Sequence, residues 1–246
     1  MESPRVAEIL SVLAHGTGEQ VTVLHELCAA CLSALPVSGV GVALMTADGP
    51  TGVVLAVTDE RARQLEELQF ALDEGPCVEA SNSGHPILEP NLVTGGSPRW
   101  PRFGAAVLDA GVHAVFAFPM RVGAIHVGAL DLYRDTPGQL TADELVEALA
   151  FADAATVIVL HLQSHEGHDG VNSALAEPID SRAEVHQATG MITIQLGIGL
   201  AEALLRLRAH AYASGRTVSA VAADVVNRRM DFADTEPGTT TRQERP

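Results

Sequence analysis

The side chains of this chain that could do chemistry are few: three cysteines, ten histidines and a scatter of paired carboxylates among 246 residues. Cys28 and Cys31 form a C-x-x-C, the spacing of a metal or redox pair. They fall inside a predicted helix, where a spacing of three puts both on one face, and no second pair completes a zinc site, so small core residues are the expectation. Cys77 follows a Gly-Pro break. It is either a thiol exposed at a helix start, where the dipole lowers its pKa, or a structural residue. His161, His165 and His168 run beside Glu166 and Asp169, but only the first two share a helical face, and histidines near a helix C-terminus are favourable without a metal; none is expected. His113 and His126 sit on predicted strands, where one could face a pocket, and no cysteine–histidine haem motif accompanies them. Asp131 with Asp135, and Asp73 with Glu74, are spaced for acid–base work but face no nucleophile, and are expected to be solvated loop carboxylates. With no Gly-rich phosphate loop and no G-x-S-x-G, the residues give little support for an enzyme.

A second group of chemical residues lies toward the C-terminus. All 15 basic residues are arginine, so every phosphate contact must come from arginine or histidine. Glu202, Arg206 and His210 are spaced four apart with the acid first, the favourable order for a helical ion pair, which makes Arg206 a surface partner. Arg208, Arg216, Arg228 and Arg229 lack such a local acid, apart from Asp224 four before Arg228, and are the expected phosphate contacts. Tyr212 could stack on an unpaired base or cap a helix edge.

Three helices must position these arginines. Val185, Ala188, Ile192 and Leu196 make one apolar stripe; Leu200, Ala203, Leu204, Leu207 and Ala211 make a second; Val218, Val221, Ala222 and Val225 make a third after Gly215, with Thr217 as N-cap and Gly197 and Gly199 as the first break. Ala188 and Gly190 are small enough to let a neighbouring backbone approach. The run Gln187, Ala188, Thr189, Gly190, then Gly197, Glu202, Ala203, Arg208, Ala211 and Val218, Val221, Ala222 resembles an ANTAR domain over roughly fifty residues. Such domains bind paired hairpin loops in nascent RNA and prevent transcription termination, usually as dimers. Two positions depart from the family, which usually has lysine where Thr189 sits and often phenylalanine at Leu204. The resemblance implies an RNA-facing set of Arg182, Ala188, Gly190, Arg208, Tyr212, Arg216 and Arg228. Three short helices with a Gly-containing break also fit a DNA-binding helix-turn-helix, the alternative.

The preceding region reads as helix 3–15, helix 19–35, strands 40–45 and 53–58, helix 60–72, a break at Asp73-Glu74-Gly75-Pro76, a short strand near His85, a helix opened by Arg99-Trp100-Pro101, two strands split at Gly123, and helix 140–161. That order predicts an α+β layer architecture, an antiparallel sheet with packed helices. DEGPC at 73–77, HPILEPNL at 85–92, RWPRF at 99–103 and VGALDLY at 127–133 resemble a GAF domain of the kind found in actinobacterial regulators. GAF domains are small-molecule sensors and dimerisation modules. The resemblance implies an effector pocket near Cys77, Trp100, His113 and His126, with cyclic GMP a poor fit because the Asn-Lys-Phe-Asp-Glu signature is missing. A methionine sulfoxide reductase of the same fold, using Cys77, is the enzymatic alternative.

The expected organisation is an N-terminal helix at 1–18, a GAF sensor at 19–163, a hinge at 164–178, an all-α three-helix ANTAR bundle at 179–232 and a disordered tail at 233–246. Residues 1–176 carry a formal charge of −15 and residues 177–232 a charge of 0, a poor balance for general polyanion binding. MESPRVAEIL lacks the apolar stretch of a signal peptide, and the most apolar run, ALAFADAATVIVLHL, is interrupted by Asp153 and falls short of the ~18 residues of a membrane helix. The expectation is a cytoplasmic homodimer that binds nascent mRNA hairpins, with no membrane, metal or identified cofactor.

Overall fold

Five strands with near-continuous apolar sequence have to be covered on both faces, and the helices of the first 165 residues do this. The structure is a computed structural model that describes residues 4–14, 20–46, 49–165 and 173–233. The chain divides into two units, Met1–Arg182 and Ala183–Pro246.

In the first unit, β1 (Gly39–Thr46), β2 (Gly49–Val57), β3 (Ile87–Glu89), β4 (Ala114–Val122) and β5 (Ile125–Arg134) form one antiparallel sheet in the order β2-β1-β5-β4-β3. Alternation along the strands splits their side chains between two layers. Val40, Val42, Phe116, Phe118, Met120, Leu130 and Leu132 pack against α1 (Pro4–Ala14), α2 (Gln20–Ala34) and α7 (Ala142–His165). Ala43, Met45, Val115, Ala117, Ala129 and Tyr133 face α3 (Glu60–Leu72), α4 (Pro76–Ser83) and α6 (Pro101–Asp109), together with a π-turn at Leu92–Gly96 and a short turn, α5 (Ser97–Arg99). Asp131 alternates with Ala129 and Tyr133 on this second face.

Helix α7 contains 22 residues, Ala142–Gln163, apolar enough to cross a membrane, but 56% of its apolar stretch is buried inside this unit, as expected of a core helix. Arg5 of α1 ties to it through a forked ion pair with Glu147 at 2.5–3.1 Å. Cys28 and Cys31 lie fully buried in the same layer as free thiols, and burial pushes Cys28 up to about 12 and Cys31 higher still, so both pack as small apolar residues.

The second unit is a bundle of the part of α8 (Ser173–Leu196) that follows Arg182, α9 (Leu200–Ala213) and α10 (Val218–Val226). Its core is Val185, Ala188, Ile192, Ala203, Leu207, Ala211, Val218, Val221, Ala222, Val225 and Phe232. The helical segment from Ala183 meets α9 at 105° across a break containing Gly197 at φ +66°. Thr217 caps α10, its hydroxyl accepting from the Ala220 N–H at 3.0 Å. Leu200, expected on the apolar stripe, is exposed because it opens α9 at the rim. The stretch expected as a hinge is helical at both ends: α7 runs to His165 and α8 starts at Ser173, where Ala-Leu-Ala-Glu favours helix. Residues 166–172 and the expected tail from 234 lie outside the described residues.

Candidate functional site

The Asp73–Cys77 segment is a junction of three helices. Asp73 ends α3 in the left-handed conformation. Glu74 then caps α6, accepting from the Arg102 and Phe103 N–H groups at 3.1 and 3.3 Å and pairing with the Arg102 guanidinium at 2.7 Å. Burial raises the Glu74 carboxyl, but these bonds outweigh it and hold it below its ordinary value. The expectation of a solvated loop carboxylate is therefore corrected for Glu74. Gly75, at φ +133°, starts α4, and a Cβ there would stand 2.4 Å from Gln69 Oε1, so only glycine fits. Pro76 is the first helical residue and Cys77 the second; the Cys77 N–H donates to Gln69 Oε1 at 2.9 Å.

Cys77 is not exposed. Its side chain points into the layer between sheet and helices with 1% of its surface accessible, and burial together with Asp131 and Glu66 pushes the thiol well above its ordinary pKa. A helix start does not make a thiolate when two acids face it. Asp131, expected in solvent, is fully buried on β5, and Glu66 is buried on α3. The Tyr133 hydroxyl donates to Glu66 Oε1 at 2.8 Å, and Gln69 Nε2 lies 3.2 Å from both Asp131 Oδ2 and the Tyr133 oxygen. Burial, reinforced by Asp131, drives the Glu66 carboxyl well above its usual range; burial likewise raises Asp131 to about 7, opposed in part by its neighbours Glu66, Cys77 and Gln69. Both carboxyls are thus held above their ordinary range by the enclosure they share. Gly41 of β1 makes room: a Cβ there would sit 2.0 Å from Glu66 Oε1.

Sequence reasoning passed over Glu66, Gln69 and Tyr133, although a signal was present. Ala62, Leu65, Glu66, Gln69 and Phe70 are the buried face of α3, so two polar residues stand on its apolar stripe, and Asp131 stands on a strand whose neighbours are all apolar.

The four residues expected around an effector pocket are not gathered together. Trp100 is buried in an edge-on contact with Phe103, ring centroids 6.2 Å apart, beneath the Arg99 guanidinium, which pairs with Glu79 of α4; the RWPRF motif thus fastens α6 to α4 and α3. His113 precedes β4 and its N–H donates to the Arg134 carbonyl, while His126 pairs with Arg121 at the other end of the β4–β5 hairpin. Along β5 those ends lie about 26 Å apart, from eight residues at ~3.3 Å each.

In the bundle, Arg206 pairs with Glu202 at 3.5 Å as the spacing predicts. Arg208 is buried, only 9% exposed, rather than standing on the surface as a phosphate contact was expected to. Arg216 and Arg229 both reach Asp224, at 2.6 and 2.8 Å, so the acid that sequence spacing offered to Arg228 is held by other partners, brought near by the αL turn at Arg228. Ala188 is fully buried in the bundle core, whereas a Cβ at Gly190 would meet nothing, so Gly190 provides no close approach within the described residues. Thr189 is buried with its hydroxyl bonded to the Val185 carbonyl at 2.7 Å. Tyr212 is 48% exposed and Arg228 is exposed; the side chains of Arg182, His165 and His168 lie outside the described residues.

The GAF domain profile matches residues 19–159, more than half the chain, and the ANTAR domain profile matches residues 173–226. No protein of curated function matches. Among solved structures, the GAF domain of a phosphoenolpyruvate-protein phosphotransferase from Coxiella burnetii is similar at TM-score 0.50 and 13% identity, covering 65% of this chain and 94% of that one. The GAF domain of an Acinetobacter phosphoenolpyruvate-protein phosphotransferase aligns at TM-score 0.49 and 10% identity over 67% and 96%. Free methionine-R-sulfoxide reductase from Neisseria meningitidis aligns at 0.48 and 15% over 65% and 89%. With a five-stranded antiparallel sheet roofed on both faces in its first unit and a three-helix bundle as its second, the chain belongs to the GAF family and carries a C-terminal ANTAR domain, a sensor–regulator architecture whose output module is of the RNA-binding, antitermination type.

Proposed function

We propose that this protein is a signal-responsive antiterminator: its ANTAR bundle engages paired hairpin loops in nascent RNA and its GAF domain controls that engagement. The observation that carries the reading is the ANTAR bundle itself, closed around Ala188, Ala203, Ala211 and Ala222, with Tyr212 and Arg228 left on its surface for a loop base and a phosphate. The test is binding of the full-length protein to a two-hairpin RNA, to each hairpin alone and to duplex DNA of equal length, followed by read-through of a terminator in vitro. Preference for the two-hairpin RNA supports the reading. Preference for duplex DNA establishes the alternative, which one feature favours: a 105° helix crossing over a short Gly-containing break is also helix-turn-helix geometry.

Control is electrostatic in part. The sensor region's charge of −15 opposes the approach of a polyanion to a neutral bundle, an effect that fades over a Debye length of ~8 Å at physiological salt. A second copy of the chain is the other expected partner. Val12 of α1 and Val146, Leu149 and Leu160 of α7 are exposed, and the same two helices with α2 line an apolar groove of about 300 Å³ through Leu10, Leu13, Val23, Val157 and Leu162. Light scattering that finds a dimer in the native chain and a monomer in a Val146→Glu, Leu160→Glu variant supports a homodimer through this face; a monomeric native protein removes it.

A further inference from the structure

Glu66, Cys77 and Asp131 arrive from α3, α4 and β5, and their ligand-capable atoms all lie within 4.8 Å of one another, fully enclosed. Two oxygens of this cluster, Glu66 Oε2 and Asp131 Oδ1, are buried with no hydrogen-bond partner. An unsatisfied carboxyl oxygen is costly to bury, and a single cation between the two would satisfy both. Beside Glu66 and Cys77 is a cavity of about 10 Å³, also lined by Phe70 and Met45. That is room for one water, whereas a small organic effector needs roughly 300 Å³ or more.

We infer that this cluster binds one divalent transition-metal ion of the Zn2+ class, through Cys77 Sγ, one Glu66 oxygen and one Asp131 oxygen, with a water in the fourth position. A thiolate with two carboxylates suits a borderline ion and is a poor set for Ca2+ or Mg2+, which take six or more oxygens. Bonds of ~2.0–2.3 Å in a tetrahedron place ligand atoms about 3.5 Å apart, so the three side chains close by little more than ~1 Å. The surrounding shell is already built. Tyr133 donates to Glu66 Oε1 and Gln69 to Asp131 Oδ2, which orients each carboxyl and leaves its other oxygen for the ion. Gly41 allows the Glu66 carboxyl to lie against the strand. Charge and protons balance without any redox change: the Cys77 thiol proton, and any proton on the two carboxyls, leaves to solvent as the ion enters, and a thiolate, two carboxylates and a dication sum to −1. Occupancy of this site is the sensor's input under the reading above; the binding itself is tested with the metal alone, whether or not the bundle binds RNA.

The experiment uses full-length protein stripped with chelator and titrated with Co2+ as an optical probe, then with Zn2+ in competition. One ion per chain is expected, with a near-ultraviolet thiolate-to-Co2+ charge-transfer band that Zn2+ abolishes. The band should survive Cys28→Ala, Cys31→Ala and vanish in Cys77→Ser, while Asp131→Asn and Glu66→Gln, near-isosteric changes whose folding is checked by circular dichroism, should each weaken Zn2+ by about tenfold or more. Absence of stoichiometric binding at micromolar metal, a band that persists in Cys77→Ser, or unchanged affinity in both carboxyl variants overturns the site. Where Cys77→Ser does not fold, the two carboxyl variants decide.

Discussion

Replacing Gly41 by alanine puts a methyl group where the Glu66 carboxyl now lies. The added Cβ would stand 2.0 Å from Glu66 Oε1, 2.7 Å from Cδ and 2.9 Å from Cγ. Ordinary contact needs ~3.4 Å, so the carboxyl has to retreat by about 1.4 Å, yet behind it are Asp131 and the Tyr133 hydroxyl bonded at 2.8 Å. Forcing a methyl into a packed core costs about 1–3 kcal/mol. Breaking the buried Tyr133–Glu66 bond adds roughly 1–3 kcal/mol more. Gly41→Ala should therefore destabilise the sensor unit by about 2–6 kcal/mol. In a Glu66→Ala background all three clashing atoms are gone, and the same substitution should be nearly neutral or stabilise by up to ~1 kcal/mol, since alanine is better than glycine within a strand. Urea unfolding followed through Trp100 reads this unit, because that buried residue is the chain's single tryptophan. A Gly41→Ala cost below ~0.5 kcal/mol, or an equal cost in both backgrounds, refutes the close approach of strand and carboxyl.

The raised Asp131 carboxyl makes the metal-free sensor more stable in mild acid: its contribution is complete below the unfolded carboxyl range and is lost as pH rises through about 7, at up to ~1.4 kcal/mol per pH unit. Urea midpoints of native protein minus those of Asp131→Asn, measured in chelator from pH 5 to 8, should fall with pH, and a rising difference contradicts the assignment. Asp224→Ala releases Arg216 and Arg229, so RNA affinity at low salt should increase and the log–log salt dependence should steepen by ~0.7 for each guanidinium that reaches a phosphate; an unchanged slope means that neither does. Arg208→Ala should lower the melting temperature of the bundle, because a buried stem is removed, whereas Tyr212→Ala should leave melting unchanged and weaken RNA binding by about 1–3 kcal/mol if a base stacks there. Calorimetry and filter binding on the same two variants check both halves.

Much of this architecture is legible in the amino-acid order because it rests on local periodicity. Val185, Ala188 and Ile192, or Val218, Val221 and Val225, recur with the helical period, and all are buried in the bundle. Thr217 announces the cap it forms, and Glu202 the pair it makes with Arg206, since both partners lie within one turn. What the order of residues leaves open is anything that depends on which face meets which element. Arg208 and Arg206 are two residues apart, and only docking of the three helices buries the first and leaves the second in solvent. Asp224 lies four before Arg228, but the αL turn there sends Arg229 to it instead, joined by Arg216 from the loop before α10. Cys77 begins a helix as its Gly-Pro neighbour foretells, yet the helix start is roofed over the sheet, which raises the thiol rather than lowering it. Glu66, Cys77 and Asp131 are separated by up to 65 positions in the chain and share no motif. Their meeting is decided by the packing of α3 and α4 on β5 and by the missing side chain of Gly41, because burial and through-space distance are properties of the tertiary fold.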